Sequence, residues 1–186
     1  MRRGPGGGAG AAMPALERSE GSSSPQVVAG DSNATKNAGE DSGATERVNL
    51  VFSAHGVPVR FVEAGDPYQR QIEATTRLVM ERGGWRNPHV LCYQSRVNPG
   101  KWLEPSLTET LKTLGARGTK RVLVVPISFV TDHVETLAEI NIEARELAMH
   151  HGIERFELMP ALNDSPAFIR ALADLVLAHV NKLLYT

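Results

Sequence analysis

Four short runs of apolar residues alternate with longer amphipathic segments from Arg47 onward. Runs of this length that are rich in branched side chains are typical of strands buried on both faces of a sheet. The predicted strands are VNLVFSA (48–54), HVLCYQS (89–95), RVLVVPISF (121–129) and FELMP (156–160). Each run is followed by a segment with helix signals, so the pattern predicts four βα units.

Capping residues, prolines and glycines bound the predicted helices. Asp66-Pro67 and Ser165-Pro166 each place a capping side chain before a proline at the first helical position. Glycines close the first three helices, which are predicted at about 66–83, 105–117 and 133–151. The fourth helix starts at Ser165 and is amphipathic. Its apolar side carries Ile169, Leu172, Leu175, Val176 and Val180.

Strands that alternate with helices indicate a parallel sheet with helices on both faces. We therefore predict an α/β, Rossmann-like domain with a four-stranded parallel sheet over residues 47–186. Residues 1–46 differ sharply, because they are crowded with Gly, Ala, Ser and Asn and show no apolar periodicity. This composition predicts a disordered, low-complexity segment in front of the domain.

Charge and composition exclude several classes of function. The formal net charge is -1, and Lys and Arg are dispersed among Asp and Glu, so no nucleic-acid partner is expected. The single cysteine, Cys92, cannot form an intramolecular disulfide or a Cys-rich metal site, and we predict that it is a buried strand residue. No apolar run approaches the roughly 20 residues of a membrane-spanning helix. Peripheral contact with a membrane surface stays open.

The N-terminal sequence bears on the cellular compartment. Arg2 and Arg3 are compatible with a targeting sequence, but no hydrophobic stretch follows them and acidic residues are frequent. Together with the lone cysteine, this favours a reducing, cytoplasmic location. Import into a plastid or another organelle is the alternative.

Polar residues with catalytic potential follow the first and third predicted strands. His55 comes after the first strand, and the segment 128–139 (SFVTDHVETLAE) contains the end of the third. Ligands of parallel α/β sheets bind beyond the carboxyl ends of the strands, so we expect both on one rim. Glu135, Glu139 and Glu143 are spaced four apart and line one helix face. A simpler interpretation also stands: acidic residues suit a helix N-terminus, a charged face is ordinarily solvated, and a lone histidine is ordinarily structural.

An imidazole that faces carboxylates supports two kinds of chemistry. Mixed nitrogen and oxygen ligands hold a divalent transition metal, and the same groups pass protons between a buried substrate and solvent. Insertion of a metal into a macrocycle needs both, because the pyrrole N–H protons leave while the metal loses its waters. The chain has no G-x-G-x-x-G motif and no Walker loop, so no sequence motif supports nucleotide binding.

Four motifs in a fixed order resemble the ferrochelatase family. They are SAHGVP (53–58), GDPY (65–68), YQSRVNPGKWLEP (93–105) and VPISFVTDHVETLAEI (125–140). The resemblance runs from about Val48 to Val180 and is greatest to the cyanobacterial and plastid branch. It implies a lyase of haem biosynthesis that inserts ferrous iron into protoporphyrin IX to form protohaem, with release of two protons. The resemblance implies that no organic cofactor is needed and that Fe²⁺ is a substrate.

The same resemblance assigns roles to individual residues. His55 and Glu135 match the two family residues that face each other across the porphyrin pocket, and both are expected to act in catalysis and to contact the metal. How the two divide these tasks stays open. Glu139 and Glu143 would form an outer acidic path. The implied porphyrin-binding residues are Trp102, Phe129 and His133.

The resemblance covers only the second of the two similar α/β halves of a ferrochelatase. Three explanations are compatible with this: a truncated gene product, pairing with a separate N-terminal half, or a homodimer as in small tetrapyrrole cobalt chelatases. Because the resemblance lacks the half that would cover it, we expect the chain to associate or aggregate. The alternatives in function are a non-catalytic tetrapyrrole- or metal-binding domain and a small homodimeric cobalt chelatase.

Overall fold

The computed structural model describes residues 47–96 and 99–184. Within these ranges the chain forms four strands, five α-helices and one π-helix. In chain order they are β1 (Asn49–His55), α1 (Val59–Glu63), α2 (Tyr68–Gly83), β2 (His89–Gln94), α3 (Leu107–Ala116), β3 (Arg121–Val125), the π-helix (Glu135–Ala144), α4 (Arg145–His150), β4 (Arg155–Leu158) and α5 (Pro166–Leu184). The predicted disordered segment, residues 1–46, lies outside the described residues.

The four strands form one parallel sheet in the order β2-β1-β3-β4. β1 is central, and its Val51 pairs with Val90 of β2 on one side and Val124 of β3 on the other. The carboxyl ends of β1, β2 and β3 therefore lie at one edge of the sheet. The predicted α/β fold with a four-stranded parallel sheet is confirmed.

One face of the sheet packs against α3, the π-helix and α4. The core of this layer joins Val51, Val122 and Val124 of the strands to Leu111 and Ile140 of the helices, and all five are at most 1% exposed. Full burial of a branched side chain contributes roughly 1.5–3 kcal/mol. This layer therefore fixes the position of the π-helix against the sheet.

α2 covers the opposite face of the sheet only in part. Its Ile72 packs in a cluster with Ala54, and its Met80 packs with Leu50 and Phe52. α5 has no buried residue anywhere along Pro166–Leu184, and its apolar side chains face solvent. Of the four helices predicted from the sequence, α5 is the one that leaves its apolar side uncovered in the described chain.

Two of the predicted elements differ from the structure by more than two residues or in helix type. β3 ends at Val125 rather than at residue 129, because Pro126 has no N–H to donate to the ladder. The predicted α-helix at 133–151 is a π-helix over Glu135–Ala144 and becomes α-helical only over Arg145–His150. π-helical turns frequently occur at functional sites. The short helix α1 was not predicted.

Candidate active site

His55 is the last residue of β1 and is held by its backbone from two sides. Its N–H donates to Ser128 Oγ at 2.9 Å, and its carbonyl accepts a hydrogen bond from the Tyr68 hydroxyl at 2.8 Å. Ser128 lies beyond β3, and Tyr68 is the first residue of α2. Partial burial raises the pKa of Tyr68 and keeps its hydroxyl protonated as a donor. The segment after β3 and the first residue of α2 therefore both hold the His55 backbone and so fix the position of its side chain.

The orientation of the His55 ring follows from a contact with its neighbour. Nδ1 lies 2.7 Å from the carbonyl oxygen of Gly56. A carbonyl can only accept, so Nδ1 carries the proton and the neutral ring keeps its lone pair on Nε2. This tautomer presents a nitrogen that can take a proton or a metal ion.

Gly56 is required by close contact rather than by backbone conformation. Its N–H donates to the Gln94 carbonyl at 2.7 Å, and a Cβ built on it would lie 2.8 Å from the same oxygen. Trp102 packs beside it and is only 8% exposed. His55 and Trp102 line one cavity of about 580 Å³, together with the cationic side chains of Arg60 and Lys101.

Glu135 opens the π-helix as an ionised carboxylate. Its Oε2 lies 2.6 Å from Nδ1 of His133, which donates to it. A hydrogen bond from its own backbone N–H, and then the bond from His133, lower the pKa of Glu135.

Phe129 connects the two histidines at this rim. Its ring centroid lies 6.3 Å from that of His55 and 5.0 Å from that of His133. The ends of β1 and β3 therefore bring together four of the residues singled out from the sequence: His55, Phe129, His133 and Glu135. Trp102 joins them through the cavity that it shares with His55.

The other two glutamates occupy a different environment. Glu139 Oε2 accepts a hydrogen bond from Ser95 Oγ at 2.6 Å. Glu139 and Glu143 line a second cavity of about 700 Å³, which also contains Arg96. The acidic face predicted from the four-residue spacing is thus divided: Glu135 faces the histidines, whereas the later glutamates face the end of β2.

Sequence reasoning missed the polar residues that hold this site in place. Gln94 is 7% exposed; its Oε1 accepts from Ser53 Oγ at 2.6 Å, and its Nε2 donates to the Glu135 carbonyl at 3.3 Å. Tyr68 and Ser128 hold His55. The sequence does contain a signal for Gln94: an amide side chain inside an apolar strand run predicts a buried hydrogen-bond partner.

Across 47–96 and 99–184, no group of three or more His, Cys, Asp or Glu side chains is placed to hold a metal ion. In the same part of the chain, no helix combines the length and apolar character needed to cross a membrane.

Cys92 of β2 is fully buried, as predicted. Burial raises the pKa of its thiol to about 12, so it stays protonated at neutral pH. The cysteine is a packing residue rather than part of the candidate site.

Comparison with protein families identifies a match over most of the chain. The family model named Ferrochelatase matches residues 25–180. The chain is 56% identical over 138 residues to the ferrochelatase of Nostoc sp. (strain PCC 7120), covering 74% of this chain and 36% of that protein. It is 58% identical over 132 residues to the ferrochelatase of Synechococcus elongatus, covering 70% of this chain and 34% of that protein. These relatives are cyanobacterial, in agreement with the branch indicated by the motifs.

A third relative, the ferrochelatase of Synechococcus sp. (strain JA-2-3B'a(2-13)), is 49% identical over 157 residues, which is 84% of this chain and 46% of that protein. The chain thus spans about a third to a half of the length of these relatives. The solved structure of a CbiX protein from Marinobacter aquaeolei VT8, named for cobalamin (vitamin B12) biosynthesis, superposes with a TM-score of 0.53 at 18% identity, over 73% of this chain and 98% of that one. The latter likeness shows the fold alone. On its family match and its sequence identity to these relatives, the chain belongs to the ferrochelatase family.

Proposed function

We propose that the chain carries the metal-inserting site of a ferrochelatase, which places Fe²⁺ in protoporphyrin IX to give protohaem and releases two protons. One observation carries the proposal: the Phe129 ring lies beside both His55 and His133, and His133 is hydrogen-bonded to the Glu135 carboxylate. His55, with its lone pair on Nε2, and Glu135 thus belong to one cluster at the rim of the sheet. Family membership supports the reaction, and the geometry supports the roles of the residues. Organic cofactors have no part in the proposal.

The two residues are suited to different tasks. A carboxylate whose pKa is lowered resists protonation, so Glu135 is the better ligand for the incoming iron. A neutral imidazole nitrogen accepts protons near neutral pH, so His55 Nε2 is the better acceptor for the pyrrole protons. As each pyrrole N–H bond breaks, its electron pair goes to iron and its proton goes to His55 Nε2. Because Nε2 holds one proton at a time, the first proton must pass to solvent before the second is taken. His133, which is bonded to Glu135, offers the next position on the way to solvent.

The cavity beside His55 has the features that a porphyrin needs. Trp102 provides a flat apolar wall at the side where Gly56 leaves room. Arg60 and Lys101 line the same cavity and can pair with the propionate groups of protoporphyrin. Phe129 and His133 would extend the aromatic contact beyond His55.

The second cavity offers a route for ions. Glu139 and Glu143 line it, and Glu139 follows Glu135 by four residues, about one turn, on the π-helix. Carboxylates in series lower the electrostatic cost of moving a divalent cation or protons between solvent and a buried site. We propose that these two residues serve the exchange of iron and protons and do not touch the porphyrin.

The test is anaerobic incubation of the 186-residue chain with protoporphyrin IX and ferrous iron, followed by the change in absorption from porphyrin to haem above a no-protein control. His55→Ala should abolish insertion, lose little porphyrin binding by fluorescence, and keep the circular dichroism of the parent. His150→Ala is the matched control, because His150 is an exposed histidine at the end of α4. It should insert iron at the parent rate.

Three results would count against the proposal. Insertion by His55→Ala at the parent rate would remove His55 from the mechanism. A folded chain that binds porphyrin without turnover, alike in parent and variant, would favour the non-catalytic carrier. A folded chain that neither binds porphyrin nor inserts iron would refute the proposal for these residues altogether.

A further inference from the structure

Arg145 stands where the π-helix changes to the α-helix α4, and its guanidinium group is fully engaged. Nε donates to the Asn141 carbonyl at 3.0 Å, and Nη2 donates to Asn141 Oδ1 at 2.7 Å. Nη1 donates to the Phe156 carbonyl, and Cζ lies 4.9 Å from the centre of the Phe156 ring. One side chain therefore joins the last turn of the π-helix to β4.

The bond from Nε replaces a backbone bond of an ordinary α-helix. In an α-helix the Asn141 carbonyl would accept from the backbone N–H four residues later, which is that of Arg145. Here the Arg145 N–H donates to the Ile142 carbonyl, and the Asn141 carbonyl accepts from the Arg145 side chain. The side chain thus supplies the Asn141 carbonyl with a donor that does not require the α-helical arrangement.

The contact with β4 holds the guanidinium group from the side of the sheet. The N–H groups of Arg155 and Met159 donate to β3, so the Phe156 carbonyl points away from β3. Because β4 is the outer strand of the described sheet, this carbonyl has no strand partner there. Phe156 itself is 3% exposed and packs in the core. Arg145 is therefore anchored on a fixed point of the fold.

The form of the helix decides where its glutamates point. A π-helix closes its hydrogen bonds over one residue more than an α-helix, so each residue turns by less than the about 100° of an α-helix. Over the ten residues Glu135–Ala144 this difference adds up to a large part of a turn. Reversion to an α-helix would change the direction of Glu135 relative to Glu139 and Glu143.

We infer that Arg145 is a positioning residue for metal insertion: its side chain holds the segment Glu135–Ala144 in the π-form and so sets the directions of the three glutamates. The catalytic consequence rests on the proposed function, whereas the effect on the form of the helix does not. Arg145 is absent from the described lining of both cavities of the candidate site. It therefore acts through the helix and does not contact the porphyrin.

Distances between spin labels test the form of the helix directly. Leu137→Cys and Met149→Cys place labels at exposed positions before and after Arg145, and the buried Cys92 stays unlabelled. In Arg145→Met the label distance should shift by roughly 3 Å or more, since an α-helix rises and turns further per residue than a π-helix. Arg155→Met removes an exposed arginine of β4 and should keep the parent distance. An unchanged distance in a folded Arg145→Met variant would overturn the inference.

A second arginine variant and a stability control separate the form of the helix from the stability of the fold. Arg145→Lys keeps the positive charge but lacks the planar fork that binds several acceptors at once. It should also shift the labels, and it takes the place of Arg145→Met if that variant does not fold. Ile153→Val shortens a core side chain that is 1% exposed, so it should lower the urea midpoint and leave the label distance unchanged. An equal shift in Ile153→Val would show that lost stability alone moves the labels, against the inference.

Iron insertion by the same variants tests the catalytic consequence. Arg145→Met should lower kcat about tenfold or more and raise the KM for ferrous iron, because misplaced ligands act on the metal step. The KM for porphyrin should stay within about twofold of the parent value, because the cavity beside His55 is unaltered. Insertion at the parent rate by a variant with shifted labels would overturn the positioning role. A parent chain that inserts no iron would count against the proposed function, and the label distances would still decide whether Arg145 holds the π-form.

Discussion

Replacing Gln94 by leucine should destabilise the fold by more than the value of one hydrogen bond. Ser53 Oγ donates to Gln94 Oε1 at 2.6 Å, and the two residues are 0% and 7% exposed. Without the amide, the Ser53 hydroxyl loses this acceptor in a buried site, which costs about 1–3 kcal/mol. With a urea m-value of about 2 kcal/mol/M, the unfolding midpoint should fall by about 1 M.

A double-mutant cycle separates this penalty from a simple loss of packing. Ser53→Ala should be destabilising too, because it leaves Gln94 Oε1 without its donor. Ser53→Ala/Gln94→Leu removes both polar groups, and such a replacement is often nearly neutral. The double variant should therefore lose about 1–2 kcal/mol less than the sum of the single variants. Strictly additive losses in urea unfolding would refute the reasoning.

The same variants also distinguish an effect of Gln94 on the stability of the fold from an effect on the position of Glu135. Gln94 Nε2 donates to the Glu135 carbonyl at 3.3 Å and so ties β2 to the start of the π-helix. Gln94→Leu should lower kcat for iron insertion with a smaller change in KM for porphyrin. Ser53→Ala leaves the bond to Glu135 in place and is the control. An equal loss of kcat in both variants would show that Gln94 acts through stability alone.

Three further predictions concern single groups. A hydrogen bond from Asn163 lowers the pKa of Asp132, so the folded state gains stability above the ordinary aspartate pKa and loses it as pH falls through the lowered value. Asn163→Ala should therefore destabilise the chain more at pH 7 than near pH 2 in thermal unfolding, where the bond to the Asp132 N–H is the remaining loss; equal loss at both values would contradict this. Cys92, with a pKa of about 12, should resist a thiol reagent at pH 8 until urea unfolds the chain, and rapid native labelling would show an open strand. Gly56→Ala places a Cβ 2.8 Å from the Gln94 carbonyl and should cost about 1–3 kcal/mol by thermal unfolding, and a variant as stable as the parent would show that the turn can relax.

The strands could be predicted because their apolar runs are short, branched and separated by helix signals. β1 and β2 lie within one residue of their predicted bounds. β3 was predicted too long, since periodicity continues through Ile127 and Phe129 while Pro126 ends the ladder. The π-helix was missed because the apolar pattern of residues 135–144 also suits an α-helix. A local apolar pattern does not distinguish the i→i+5 hydrogen bonds of a π-helix from the i→i+4 bonds of an α-helix.

The location of the candidate site could be predicted from topology, but its supports could not. Strand ends of a parallel sheet meet at one rim, and this places His55 near the segment that contains Glu135. The hydroxyls of Tyr68 and Ser128 act through the His55 backbone, from positions 13 and 73 residues away in sequence. Such contacts depend on three-dimensional distances that sequence spacing leaves undetermined.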